Sequence, residues 1–502
     1  MRTSLVLACL LAGGCSAVDR PLPPGFLLGV ATAGFQNDPG CPSLPSELCI
    51  DRHSDWYDFV TSEEIRADAG AYVRGDPLEA GPGSYELYPL DFDLVARQLR
   101  GNAVRLSLEW SRLFPQPTDE AEGYEAMRQR ADPRALRHYH DVFAALRHRG
   151  LRPLVTLHHY TLPSWIHDAV GCHRDLDRCR RRGWLDRARI VREIAKYAAF
   201  CGREFGAEVD LWATLNEPFA VVLPGFLFPS WERSNPPAVA LRFDEARTAM
   251  VAMLEAHARM YEAVHQSDTI DSDGDGQAAR VGLVYNLTPA APRDPDRPLD
   301  VQAAKRLFYL YNEVFLNAVI RGDLDEDMDG TSVHREDLGG RLDYLGLNYY
   351  TQVIVDGTET PALPRLSPLT TFNPLTLTLW TDHPRGLYDM ALLVHSWGLP
   401  VLVTENGTAD QSDESVAPRF LVRHLDWLLR AYEAGARIEG YFYWTLVDNY
   451  EWNHGMSMRF GLYRLEQGPD KRRSPREAAR VFSEIGAAFA LPASLRQRYG
   501  GN

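Results

Sequence analysis

The 502-residue chain is predicted to form a single (β/α)8 TIM barrel with extended βα loops, and three observations carry that expectation. Apolar runs alternate with amphipathic stretches eight times. The runs are almost continuously apolar, as strands of a parallel sheet buried on both faces must be. Polar and aromatic clusters follow the strands at their C-terminal ends, where such a barrel places its site. No linker, repeat or low-complexity tract interrupts the alternation, so the length argues for one domain rather than several.

In chain order, Phe26 to Gly34 reads as the first strand, ending near Phe35-Gln36, and Asp91 to Leu99 as the helix before the second, Ala103 to Leu108. A helix over Arg134 to Arg149 stops at Gly150 and feeds the strand Arg152 to Leu157. Asp186 to Phe205 carries the stripe Ile190, Ile194, Tyr197, Cys201 and Phe205, which makes it a helix and Cys201 a buried, inert thiol. The run Val209 to Leu215 is the fourth strand, with Pro218 blocking its continuation. Helix Asp244 to His265, strand Val281 to Asn286, helix Val301 to Arg321 and strand Tyr344 to Tyr349 come next. Helix Gly386 to Ser396, the strand from Val401 closed by a Gly407 turn, helix Phe420 to Ala434 stopped by Gly435, strand Ile438 to Trp444 and helix Arg476 to Ala488 complete the set.

The 45% apolar fraction supplies a large core. A formal charge of −15 argues against nucleic acid or an anionic membrane face as a partner, and suits a neutral substrate. Arg2, the apolar run Leu5 to Ala12 and the exit Ala12-Gly13-Gly14-Cys15 form a targeting segment; it resembles a bacterial lipoprotein signal, with Cys15 the lipidated mature N-terminus. Residues 1–15 are thus signal, 16–25 a tether, 26–490 the catalytic domain and 491–502 a tail. No later run reaches the ~18 apolar residues of a spanning helix, so membrane contact is expected only through a lipid on Cys15, on an exported cell-envelope protein. In an oxidising compartment the short loops Cys41 to Cys49 and Cys172 to Cys179 are expected to close as disulfides.

Two strands end in glutamate: Thr214-Leu215-Asn216-Glu217-Pro218, and Val401-Leu402-Val403-Thr404-Glu405-Asn406-Gly407. Glycoside hydrolysis needs such a pair, one acid to protonate the leaving oxygen and one carboxylate on the sugar's other face. Around them Gln36, His159, Asn348, Trp444, Glu451 and Trp452 offer hydrogen-bonding groups for hydroxyls and flat rings for C–H surfaces.

With Thr-Leu-Asn-Glu-Pro followed by Thr-Glu-Asn-Gly, the chain resembles family 1 of the glycoside hydrolases, the retaining β-glycosidases, from about Phe26 to about Phe489. The resemblance implies Glu217 as general acid/base and Glu405 as nucleophile. It matches Gln36, His159, Asn216 and Glu451 to residues binding the terminal sugar's hydroxyls, Trp452 to an indole donor and Trp444 to the platform beneath. Arg105 and Tyr350 match the partners of the nucleophile, and Asn348 is placed with them. Retention through a covalent glycosyl-enzyme then calls for carboxyls ~5–5.5 Å apart. Burial and repulsion by Glu405 would raise the Glu217 pKa toward neutrality. The carboxylate of Glu451 would repel a phosphorylated sugar, so a neutral glycone (glucose, galactose or fucose) is expected. Two departures fall near the pocket rim: Asn37 to Cys41 replaces a familiar Glu-Gly stretch, and Tyr160 stands where tryptophan is common. A transglycosidase of the same fold, and a sugar-binding protein without chemistry, are the alternatives.

No cofactor is expected for catalysis, but a structural calcium is. Asp325, Asp327, Asp329, Thr331 and Glu336 occupy the positions of a calcium loop, with Gly330 at its turn. A shorter version, Asp271, Asp273 and Asp275, lacks the closing glutamate. Both loops precede strands, which puts them as neighbours on the barrel's N-terminal face.

Overall fold

A computed structural model describes residues 18–412 and 415–500. Cys9, Cys15 and the whole signal segment lie outside the described residues. Eight parallel strands close a barrel: β1 Leu27–Ala31, β2 Ala103–Ser107, β3 Arg152–His158, β4 Leu211–Asn216, β5 Arg280–Asn286, β6 Tyr344–Asn348, β7 Val401–Asn406 and β8 Ile438–Trp444, with β8 pairing back onto β1 through Gly440–Leu27 to Trp444–Ala31. Every residue of β1, β2, β4, β6 and β7 is buried, which is why these strands read as unbroken apolar runs.

The eight predicted strands and their helices are all present, most with ends moved by a few residues and one, predicted from Asp91, beginning at Ser84. The largest local differences are π turns. One at Leu94–Gln98 ends the helix Ser84–Asp93, and one at Tyr309–Glu313 divides the predicted Val301 to Arg321 helix into Pro298–Phe308 and Val314–Arg321. A period-3.6 pattern does not register an inserted residue of this kind. Leu27, Ala31, Ala103, Leu154, Leu211, Ala213, Val284, Leu402 and Phe442 pack inside the barrel, and a larger apolar layer seals the helices onto its outside. Gly407 is needed for a reason other than a turn: a Cβ there would meet the Trp444 carbonyl oxygen at 2.0 Å, so it permits β7 and β8 to diverge tightly around the site.

The described residues of the expected tether and tail, 18–25 and 491–500, belong to the fold. Arg20–Pro21 pairs antiparallel with Ala490–Leu491, Leu22 and Leu495 are buried, and Ala493–Tyr499 is a helix. The chain terminus of a barrel is a polar, short stretch in sequence, and its pairing partner is distant, so no local pattern marks it.

Both expected disulfides are formed, Cys41–Cys49 and Cys172–Cys179, and Cys201 is a buried free thiol. They brace the long loops after β1 and β3. After β6, Gln352–Val355 and Thr378–Thr381 join Ala290–Pro292 in a small sheet. The loop after β8 is fixed by a buried two-pronged ion pair in which Arg476 donates to both carboxylate oxygens of Asp448, each at 2.8 Å. These loops rise on the C-terminal side of the barrel and form the walls of its cleft.

Candidate active site

Glu217 follows β4 in a left-handed conformation, φ +46°, and Pro218 opens a short helix, Pro218–Val222, rather than a loop. Proline's fixed φ suits the first helical position, so the residue that stops the strand also starts the helix. The Glu217 amide is held by the Val284 carbonyl of β5 at 2.9 Å. Its Oε1 accepts from Asn348 Nδ2 at 2.7 Å and its Oε2 from the Tyr160 hydroxyl. Burial, then the charge of Glu405, push its pKa up to about 7 against the opposing pull of Tyr160, Asn348 and Arg233.

Glu405, near the end of β7, has a different environment. Its Oε1 accepts from Arg105 Nη1 at 2.5 Å and its Oε2 from the Tyr350 hydroxyl at 2.6 Å. Arg105 is itself immobilised by Thr156 Oγ1 at 3.1 Å, the Thr404 carbonyl at 3.2 Å and Asn216 Oδ1 at 2.7 Å. One carboxyl is thus met by a guanidinium and a phenol, the other by neutral donors. Asn348 corrects its expected place: its amide nitrogen donates to Glu217 and to Asn216 Oδ1, while Thr404 donates to its Oδ1 at 2.7 Å. It contacts Glu217 rather than Glu405, because a side chain leaving the end of β6 faces β4 as readily as β7.

The remaining expected residues gather along one wall. Gln36 Nε2 donates to Glu451 Oε2 at 2.8 Å, and Asn449 Nδ2 reaches the same oxygen at 3.1 Å. Asn216 Nδ2 donates to His159 Nε2 at 3.4 Å, which leaves the proton on Nδ1. Burial, together with Arg105, His158 and Arg233, keeps that imidazole neutral. The rings of Trp444 and Trp452 both lie nearly parallel to His159, with centroids 6.0 and 5.9 Å away. Gln36 Oε1, His159 Nδ1 and Asn449 Oδ1 are buried with no hydrogen-bond partner among the described residues. An acceptor, a donor and an acceptor beside two carboxyls and two indoles is a lining suited to hydroxyl groups on a compact ring.

Sequence reasoning missed Arg233. It projects from the loop after β4, places Nη1 3.3 Å from Glu451 Oε1, and lies over the Tyr160 and Trp452 rings at 5.0 and 5.5 Å. Nothing in Trp231-Glu232-Arg233-Ser234-Asn235 has a period, so its direction was not legible. Glu109 was missed too: buried behind the site, it accepts from Ser107 at 2.8 Å and Thr161 at 2.6 Å and so ties β2 to the loop that carries Tyr160. Trp231 and Trp380 are exposed at the rim, where the Trp380 indole donates to Glu232 at 2.8 Å.

The calcium loops do not behave as expected. Asp325 accepts from Tyr309 and from the amides of Asp329 and Gly330, whereas Asp327 is exposed and turns toward Arg247 at 3.9 Å. Glu336 lies exposed beyond the pairing of Asp323–Leu324 with Val333–His334, which uses the second half of the expected loop as a strand. The loop also climbs the barrel's outer side to meet Ser367, so it is neither on the N-terminal face nor beside the shorter one. Among the described residues, three acidic oxygens come within 4.8 Å of one another only at Asp210, Asp271 and Asp273; Asp275 is outside that group. Asp210 lies far in sequence from Asp271 and Asp273, so no local spacing singled it out.

The sequence profile of Glycosyl hydrolase family 1 matches residues 18–489. A beta-galactosidase of Pyrococcus woesei is 36% identical, covering 92% of this chain and 96% of its own length. A beta-galactosidase of Sulfolobus acidocaldarius is 34% identical, covering 94% and 96%. The crystal structure of the beta-glycosidase of Thermosphaera aggregans superposes with a TM-score of 0.80 at 29% identity, covering 95% of this chain and 99% of that one.

Proposed function

The chain belongs to glycosyl hydrolase family 1, and from that premise we propose that it is an exported, retaining β-glycosidase releasing terminal β-linked neutral sugars through a covalent glycosyl-enzyme. One observation carries the reading: two strand-end carboxyls have opposite surroundings, Glu405 against Arg105 and Tyr350, Glu217 buried among neutral donors with its pKa near 7. Different surroundings assign different roles. Glu405 attacks the anomeric carbon as the bond to the leaving oxygen breaks, and Glu217 transfers its proton to that oxygen. Water then attacks the same carbon, gives its proton to Glu217, and the bond to Glu405 breaks, so that two inversions give net retention. No cofactor enters either step.

Galactose is the first sugar to test, since both of those relatives are named beta-galactosidases. Glu451 favours a neutral glycone, although Arg233 answers part of its charge. A panel of aryl β-glycosides (gluco, galacto, fuco, and a 6-phosphogalactoside) tests this. Hydrolysis of the neutral members with retained configuration is the expected result. Glu451→Gln should reduce kcat/KM on them by roughly 10²–10³-fold with little loss of folding, because hydrogen bonds to hydroxyls are removed. Preference for the phosphorylated sugar would overturn the neutral reading, and binding without turnover would favour a sugar-binding protein.

Export is supported by two disulfides on a chain with a lipoprotein-like start. A lipid on Cys15 would lie five residues (20 − 15) before Arg20, within roughly 18 Å of extended chain. Arg20–Pro21 is fixed beside Ala490–Leu491, past the end of the helix Glu477–Ala488 that follows β8 and therefore below the barrel's N-terminal face. Such an anchor would turn the cleft away from the membrane.

The place for a structural calcium is the shorter loop, where Asp210, Asp271 and Asp273 converge. Chelation should then lower the melting temperature without changing turnover, and Asp273→Asn should abolish that shift. A melting curve indifferent to chelator removes the ion from the reading.

A further inference from the structure

We propose that Tyr160, held in place by Arg233, is a positioning residue for the acid/base: it fixes which oxygen of Glu217 bears the transferable proton. The inference rests on the reading of Glu217 as the acid.

The two oxygens of Glu217 have unlike neighbours. Asn348 presents its amide nitrogen to Oε1, and its orientation is locked because Thr404 donates to its own Oδ1. An amide N–H can only donate, so Oε1 remains an acceptor throughout. The transferable proton must therefore reside on Oε2, the oxygen that faces the Tyr160 hydroxyl. A phenol can donate to a carboxylate and, by rotating, accept from a carboxylic acid. Tyr160 thus stays bonded in both protonation states without moving its ring. Burial and the nearby Glu217 charge push the phenol pKa well above its usual value, so it remains a donor at any working pH.

The ring is fixed from two sides. Its backbone adopts φ +70°, a conformation a bulky residue holds only when its surroundings enforce it. Trp452 packs against one side at 4.8 Å, and the Arg233 guanidinium lies over the ring at 5.0 Å. Arg233 is anchored in turn by Glu451, and its loop by Asn453, which accepts from the Ser234 amide at 3.2 Å. The groups acting on Glu217 come from every neighbouring element: Glu405 on β7, Tyr350 after β6, Tyr311 on the π turn, Arg233 on its own loop and Tyr160 after β3.

The test compares pH profiles of kcat/KM for wild type, Tyr160→Phe and Arg233→Met on two substrates, a dinitrophenyl and an alkyl β-glycoside of one sugar. In Tyr160→Phe a donor to the carboxylate is gone, so the Glu217 pKa rises. The alkaline limb should move up by about 0.5–1 pH unit while the acid limb stays in place. The alkyl substrate, whose leaving group needs the proton, should lose at least about tenfold more than the dinitrophenyl one. Arg233→Met should move the limb in the same direction. An unmoved limb with equal losses on both substrates, at an unchanged melting temperature, would reduce Tyr160 to packing and overturn the proposal. So would a limb that moves in Arg233→Met alone, since the cation would then act on Glu217 without the phenol. Azide rescue of a Glu217→Ala variant with retained product establishes the acid/base role separately, so failure here is distinguishable from failure of that role.

Discussion

Replacing Glu405 with alanine should lower turnover by at least about 10⁴-fold, and azide should restore part of it as a glycosyl azide of inverted configuration. The nucleophile forms the first bond to the anomeric carbon, so no other group in the cleft can take its place. Arg105 would persist without its carboxylate, because Thr156, the Thr404 carbonyl and Asn216 hold the guanidinium independently. The small space left beside a fixed cation suits a small anion, which attacks from the face Glu405 occupied. The variant should also be less stable, by roughly 3–5 kcal/mol, since a buried guanidinium is left unpaired. The azide product identifies the roles: an inverted azide from Glu217→Ala instead would exchange the two glutamates.

The sequence carried the barrel well because its strands are buried on both faces and its helices are long enough to show a period. Strand ends were legible for the same reason: Asn216-Glu217 and Glu405-Asn406 sit where an apolar run stops, and a barrel can present such ends only at one rim. Local pattern failed where the partner is distant in sequence. Asn348 was placed near the nucleophile although its amide turns to Glu217, and no periodicity could report which neighbour a strand-end side chain faces. Arg233 and Tyr160 come from different loops and meet over Trp452, a contact with no sequence signature. The acidic loop Asp325 to Glu336 misled in the opposite sense. Alternate acids at calcium spacing look self-repelling in one dimension, but in the fold Tyr309, backbone amides and Arg247 receive them. The convergent acids instead include Asp210, from the residues just before β4.

Glu217→Ala should divide substrates by their leaving groups. Glu217 must be protonated for the first step, and its pKa lies near 7 because burial and Glu405 outweigh the donors on its two oxygens. Wild-type kcat/KM should therefore fall as pH rises through about 7, when the acid loses its proton. Without Glu217 that alkaline limb disappears. A dinitrophenolate departs unaided, so glycosylation of Glu405 by such a substrate should be slowed little, whereas an alkoxide needs the proton and should lose about 10²–10⁴-fold. Deglycosylation also loses its base, so on the dinitrophenyl substrate the glycosyl-enzyme should accumulate and kcat and KM should fall together. Azide should relieve that step and give a product of retained configuration, because it reacts with the covalent intermediate from the face where water normally enters. Equal losses across leaving groups, or a surviving alkaline limb near pH 7, would place the proton donor on another residue.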